Sequence, residues 1–382
     1  MKSIREMLTQ EDVDDYELEN PREKVDYSYF GDSPSYLESK NLPPINIYIY
    51  GNYAHFEKAT AYFMLRKAGC HFSNHYNEKF DIGWFWDARI SIDKTQKKIR
   101  EQSKELKFIN LFLIDTSKEF VAKTMEQHFG YTFKIDPKSF TGYCIAKHNG
   151  NGTKSCFFLK CPIDAEEIFT DHCYQKIINF SSKNDQNILY EIRVPVFKNI
   201  IPFIFFKTRN RGLRFTSKNK SMEITPATLH LSSEECLKIL SYCRKIGLEY
   251  GELDILRCDI TGQIYIIDVN NTAWWPPNKL GDISRNIALN MMWNAFLEAF
   301  LPSKFQEYHV PDQYIDDYKN NKNPNKNIRS RKDISYNEYK FVGKDSYFPY
   351  EELWKELNKS FLKKNATYMK KHQTKKEGKN KK

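Results

Sequence analysis

Two strand-like runs, residues 252–258 (ELDILRC) and 264–270 (IYIIDVN), flank the segment DITGQ, whose Gly262 suits a hairpin loop of that length. Pairing centred on Thr261 sets Asp254 opposite Asp268 and Glu252 opposite Asn270. Because side chains alternate along a strand, all four project from one face. Leu253, Ile255, Ile267 and Val269 then line the opposite, core-facing side. Carboxylates directly across an antiparallel pair hold their Cβ atoms roughly 4.5–5.5 Å apart, and like charges so placed destabilise the ribbon. Something has to offset that repulsion. Mg²⁺ is the natural candidate, since it takes hard oxygen ligands from one or two carboxylates and keeps some water. The alternative is an exposed ribbon whose charges water screens. The apolar segment that follows, NTAWWPP at 271–277, argues for a covered one.

The rest of the chain is long and apolar enough to build the sheet that such a ribbon needs. Its 382 residues predict two or three domains, and with 40% hydrophobic and 28% charged residues it has material for a large core. The fold class expected is α/β to α+β, in five segments. Residues 1–43, acidic and then rich in turn formers, read as an irregular lead-in. Residues 44–116 read as a small α/β domain. Its strand at 45–51 (INIYIYG) leads into a helical pattern at 55–67, and 81–87 (DIGWFWD) and 109–115 (INLFLID) form further buried strands with a helical stretch between them. Residues 117–302 form the main domain. A helix begins after Asp115 with Thr116 or Ser117 as its cap, short strands follow, Ser232 and Glu235 form a capping box, and a last helix covers about 283–300. Residues 303–362 form an extension with a helix near 350–363. Residues 363–382 read as a disordered basic tail. No internal repeat is present.

Charge and cysteine usage exclude several classes. The formal net charge is +10, but residues 363–382 alone carry +8 and residues 318–332 carry +6, which leaves −4 for the remainder. That distribution argues against nucleic acid as the main partner and for a solvated tail. The 8 cysteines show neither a CxxC pair nor zinc spacing, so they read as reduced, mostly buried thiols; His172 beside Cys173 has no second spaced pair to complete a metal site. No run approaches the roughly 20 apolar residues of a membrane span, and the N-terminus lacks the apolar segment of a secretory signal, so a cytoplasmic protein is the expectation.

Asp254, thirteen intervening residues, then Asp268, Val269 and Asn270 resemble the metal-binding hairpin of the ATP-grasp superfamily. There, an Asp on one strand and an acid-x-Asn on the next hold Mg²⁺ against the phosphates of ATP. Upstream segments resemble the family's other motifs in order. DTSK offers Lys118. CIAKHNGNG offers Lys147 and a loop with Gly150 and Gly152, whose backbone N–H groups can approach phosphate oxygens while the Lys neutralises them. CYQKIIN resembles the adenine-binding linker, with Gln175, Lys176, Ile177 and Ile178 and a hinge near 175–179; Gln175 departs from the usual acid, so a carboxamide would meet the adenine amine. YEIRVPVF offers Glu191 for ribose and Arg193 for phosphate or a substrate carboxylate, and FFKTRN offers Lys207 and Arg209 toward the γ-phosphate. Two departures stand out: Asp268 replaces the commoner Glu, and AWWPP replaces a small, Gly-bearing segment.

The resemblance implies an ATP-grasp architecture, with a pre-ATP-grasp domain and two α+β subdomains sandwiching ATP. It implies ATP and Mg²⁺ as cofactors, with metal ligands Asp254, Asp268 and Asn270 and with Arg193, Lys207 and Arg209 in the catalytic roles. The reaction implied is activation of a carboxylate as acyl phosphate and its joining to an amine. The partners would be a small-molecule, peptide or glycan-linked carboxylate and an amine, with Arg209 or Arg214 holding the carboxylate by a bidentate fork. Two other functions fit the same residues or the tail: an ATP-grasp kinase acting on a hydroxyl, and a non-catalytic binding protein working through its basic tail.

Overall fold

A computed structural model describes residues 35–75, 79–86, 101, 106–111, 114–150, 156–181, 188–210, 219–273, 280 and 282–311. The expectations placed on the lead-in before residue 35, on Gly152, Arg214, Trp274 and Trp275, on the helix near 350–363 and on the basic tail lie outside these residues.

After a short helix α1 (Tyr36–Ser39), the chain builds a parallel sheet from β1 (Asn46–Gly51), β2 (His71–Ser73), β3 (Ile82–Trp86) and β4 (Phe108–Ile109), in the order β2-β1-β3-β4. β3 is buried along its whole length, as its continuous apolar run IGWFW requires. The helical pattern expected at 55–67 is split into α2 (Tyr53–Phe56) and α3 (Thr60–Ala68), because Ala59 takes an extended conformation between them. The strand expected over 109–115 is corrected for the described residues, where the strand is the two-residue β4, which ends where Asn110 turns to φ +54°; residues 112–113 lie outside them.

α4 (Lys118–Phe129) follows, its N-cap Ser117 accepting from the Phe120 N–H. Then β5 (Gly142–His148), β6 (Cys156–Cys161) and β7 (His172–Lys176) form an antiparallel sheet in the order β6-β5-β7. A second antiparallel sheet joins β8 (Ile188–Phe197), β9 (Ile204–Asn210), β10 (Ser221–Thr225), β11 (Tyr250–Arg257) and β12 (Ile264–Asn270) in the order β10-β9-β8-β11-β12. α5 (Ser233–Ile246), opened by the expected Ser232/Glu235 capping box, precedes β11. α6 (Asp282–Phe300) and α7 (Pro302–Tyr308) follow β12.

The two faces of the five-stranded sheet are covered differently. On one, Ile192, Val194, Val196, Phe206, Leu253, Ile255 and Val269 pack against Val121, Ala122 and Met125 of α4 and Ile239, Tyr242 and Cys243 of α5. On the other, Phe197, Phe205, Met222 and Tyr250 share a core with the parallel sheet, with α3 and with Met292, Trp293, Phe296 and Phe300 of α6. By strand parity, that second face also carries Glu191, Arg193, Lys207, Glu252 and Asp254.

Cys70, Cys144, Cys161, Cys173, Cys236, Cys243 and Cys258 are free thiols, and all of these but Cys236 are buried. Among the described residues no His, Cys, Asp and Glu side chains gather as a metal cluster, so His172 and Cys173 form none. No described helix is long and apolar enough to cross a membrane.

Candidate functional site

The β11–β12 hairpin has the expected register at its open end: Glu252 pairs with Asn270, Leu253 with Val269 and Asp254 with Asp268. Beyond that point the pairing slips by one residue, so Ile255 pairs with Ile266 rather than Ile267. The bulge buries Ile266 fully and leaves Ile267 half-buried at the core's margin, which corrects the expected core row. The slip falls after the acids, so their facing arrangement survives.

Two neighbouring strands extend the acidic pair into a charged row. Arg193 on β8 lies directly opposite Asp254, and Glu191 lies opposite Lys207 of β9. Arg193 forks onto Asp254, donating from Nε to Oδ1 at 2.8 Å and from Nη2 to Oδ2 at 3.0 Å, and its Nη1 lies 3.5 Å from Glu252 Oε2. Lys207 Nζ donates to Asp254 Oδ1 at 3.1 Å and to Glu191 Oε1 at 2.7 Å, and Arg209 Nη2 donates to Glu191 Oε2 at 2.7 Å. On the hairpin's outer strand, Lys118 of α4 forms an ion pair with Asp268. The repulsion that the sequence left to a metal is therefore offset in the protein itself by Arg193, Lys207 and Lys118.

The electrostatics follow from this pairing. Burial alone would raise the Asp254 carboxyl, but the Arg193 and Lys207 charges override it and hold Asp254 well below the usual carboxylate range. Glu252 shows the opposite balance: burial pushes its pKa up against the pull of the same two cations. Glu252 is 2% exposed, and its Oε1 has no hydrogen-bond partner. Asp268 is the open member of the set, its side chain 38% exposed.

The oxygen donors suit a hard divalent ion in type, although both Asp254 oxygens are already held by Arg193 and Lys207. Asp268 and Asn270 stand two residues apart on one face of β12, beside the orphaned Glu252 oxygen and across from Asp254. Asn270 Oδ1 accepts from the Thr272 N–H at 3.2 Å and keeps its second lone pair.

The other residues expected in the site sit on the three-stranded sheet. Lys147 pairs with Cys173 and Ile145 with Gln175, so Lys147 and Gln175 share a face; Cys144, Ala146 and Tyr174 line the other in a separate small core. Gln175 is buried, with Nε2 3.8 Å from Cys173 Sγ. Lys176 Nζ lies over the Tyr265 ring at 4.7 Å, and burial lowers its pKa. Ile177 and Ile178 are buried where the chain leaves β7. Asn149, which lies between Lys147 and Gly150 in the chain, bonds the first turn of α4, the turn that bears Lys118.

Glu191, expected at ribose, spends one oxygen on Lys207 and the other on Arg209, so those three groups form one buried unit. Sequence reading did not anticipate the Arg193–Asp254 fork or the Asn149 contacts with α4. The first had a signal. EIR, KTR, ELD and DVN each place polar residues two apart, which is the mark of one strand face. The second had none, since it depends on where a loop meets a helix in space.

No family model matches the sequence, and no curated protein does. Solved structures do. The chain is similar to the ATP-grasp ligase PsnB complexed with a minimal precursor, at 14% identity over 60% of this chain and 90% of that one, TM-score 0.38. It is similar to the D-alanine–D-alanine ligase of Bacillus anthracis complexed with ATP, at 13% identity over 69% and 99%, TM-score 0.44. A third is a RiPP-associated ATP-grasp ligase from Chryseobacterium gregarium in complex with ADP and a leader and core peptide, at 12% identity over 68% and 97%, TM-score 0.37.

Proposed function

We propose that this chain is an ATP-grasp enzyme, and specifically an ATP- and Mg²⁺-dependent ligase that activates a carboxylate as acyl phosphate and joins it to an amine. The observation that carries the reading is the chain of paired cations and carboxylates along one sheet face, Lys207 and Arg193 on Asp254 and, next to Asp254, Asp268 with Lys118 of α4, with Asp268 at its open edge. A row of that kind suits a polyanionic ligand. It offers fixed positive charge to phosphate oxygens and free carboxylate oxygen to the ion that accompanies them.

Phosphoryl transfer asks a protein for positioning and charge neutralisation more than for a nucleophile. In this reading Lys118 and Lys147 bind phosphate from two sides. Arg193 and Lys207 stabilise the charge that spreads in the transition state, and Glu191 keeps Lys207 and Arg209 in place. Ile177 and Ile178 would flank the adenine, with the Gln175 carboxamide at its edge. Asp254, Asp268 and Asn270 would hold Mg²⁺, which when bound supplies Lewis-acid neutralisation of phosphate oxygens. The carboxylate oxygen takes up the γ-phosphoryl group and ADP departs; the amine then attacks the acyl carbon, forming the amide and releasing phosphate. The acceptor carboxylate, whether free, peptide or glycan-linked, would meet Arg209.

The test is ADP release in the presence of ATP and Mg²⁺ while carboxylates and amines are screened, followed by product analysis. An amide with free phosphate supports the ligase, a stable phosphoester replaces it with a kinase, and no ADP release with any acceptor pair removes the enzyme reading.

A further inference from the structure

Asn149 directly follows the strand that carries Lys147, and its N–H, C=O and side-chain oxygen are all spent on joining separate segments. Its N–H donates to the Asp171 carbonyl at 2.8 Å, which ties it to the turn before β7. Its C=O accepts from the Lys118 N–H at 3.1 Å, and its Oδ1 accepts from the Glu119 N–H at 2.7 Å. With Ser117 Oγ accepting from the Phe120 N–H at 3.2 Å, the first three N–H groups of α4 are all satisfied, two of them by one residue from another sheet. The same turn of helix bears Lys118, whose ammonium is paired with Asp268. Lys134 adds a second stitch: it is ion-paired with Glu119, and its backbone bridges Gln175.

We propose that Asn149 is a positioning residue that locks the Lys147 strand end to the first turn of α4, and so sets where Lys118 and Asp268 stand relative to Lys147. This rests on the nucleotide-binding reading above. The physical reason is reach. Lys118 and Lys147 come from different elements, and two point charges serve one phosphate chain only if their spacing is fixed before the ligand arrives. A side-chain cap from the opposing sheet fixes it without occupying the face itself. The same geometry closes the N-terminus of α4 to any anion, so α4 contributes its lysine and not its free N–H groups.

The experiment measures binding of the non-hydrolysable analogue AMPPNP with Mg²⁺ by calorimetry, together with amide hydrogen exchange at Glu119. Asn149→Ala removes the side-chain acceptor and is expected to weaken binding about tenfold, in line with the loss of a helix cap, and to speed Glu119 exchange at least about tenfold. Asn149→Asp keeps an acceptor oxygen at a helix N-terminus and is expected to restore binding to within about threefold. In a Lys118→Met background, Asn149→Ala is expected to cost less than about twofold more, because the lysine it positions is gone. A full tenfold loss in that background, or no rescue by Asp, overturns the proposal. If the wild-type protein binds no nucleotide, the function proposed above falls, and Glu119 exchange decides the lock alone: unchanged exchange in Asn149→Ala refutes it, faster exchange upholds it.

Discussion

Arg193 illustrates how one side chain sets the character of the charged face. Its fork on Asp254 is bidentate, with neither partner more than one-fifth exposed, so removing Asp254 leaves the buried Arg193 only its longer contact with Glu252. Asp254→Asn is therefore expected to lower stability by about 3 kcal/mol at neutral pH, measured by urea denaturation, and to abolish ADP release. The folded-state pKa of Asp254 lies below its unfolded value, so the stability it contributes is complete above the ordinary carboxylate range and is lost as pH falls through and beneath that range. The gap between wild type and Asp254→Asn should accordingly close as pH drops from about 5 toward 2; a constant gap would show that the pairing energy is not ionic. Lys67 runs the other way. Burial lowers its pKa to about 8, and its ammonium donates to the Asn286 carbonyl and side-chain oxygen rather than to a carboxylate. A lysine whose folded pKa lies below its unfolded value disfavours the folded state while charged. Relative to Lys67→Met, the wild type should thus gain stability, by about 2–3 kcal/mol, as pH rises from about 8 to about 10.5, which parallel denaturant titrations would show.

At the scale of elements, what was legible in the sequence was what local pattern dictates. The facing of Asp254 and Asp268 followed from loop length and strand parity, the Ser117 and Ser232 caps from side-chain chemistry, and the split of polar and apolar residues along β8 and β11 from period two. Three features escaped for identifiable reasons. The bulge after Asp254 is invisible because Ile266 and Ile267 are the same residue type, so a slip of one changes nothing in the pattern. The break at Ala59 escapes because alanine is the best of helix formers, and the break is set by tertiary contact: the Thr60 N–H bonds the Ala273 carbonyl at 3.3 Å. Asn110 ends β4 early because its side chain is committed elsewhere. Its Oδ1 accepts from the N–H groups of Glu249 and Tyr250 at 2.9 and 3.0 Å, and its Nδ2 donates to the Tyr250 carbonyl at 2.8 Å. One residue thus fastens the parallel sheet to the start of β11, the strand that bears Glu252 and Asp254. Asn110→Ala leaves those backbone groups unsatisfied in the interior and is expected to cost about 2–4 kcal/mol. Asn110→Gly, which tolerates φ +54° but restores none of the bonds, should recover only a small part of that loss; full recovery by glycine would assign the cost to backbone strain instead.

For the whole molecule, the decisive fact is that the charged row and the apolar cover share a sheet face. Phe197, Phe205 and Tyr250 bind the parallel layer and α6, while Arg193, Lys207 and Asp254 lie on the same side of the same strands. The charged row is therefore built at a margin between layers, and Lys118 reaches it from α4. The basic segment at 363–382 has no part in this arrangement as proposed, so deleting it should leave ADP release unchanged, whereas Asp254→Ala should eliminate it; the reverse result would hand the function to the tail. The shared core also bears on how the polypeptide comes off the ribosome. Lys67 meets Asn286 across 219 residues of sequence, and the Tyr36 hydroxyl reaches the His309 carbonyl across 273. The parallel layer, made before α6 and α7, therefore waits with Trp84 and Trp86 uncovered until those helices emerge. A nascent chain of this protein should need a chaperone's shelter until α6 has emerged, and truncation before about residue 300 should yield an insoluble product and not a smaller folded one.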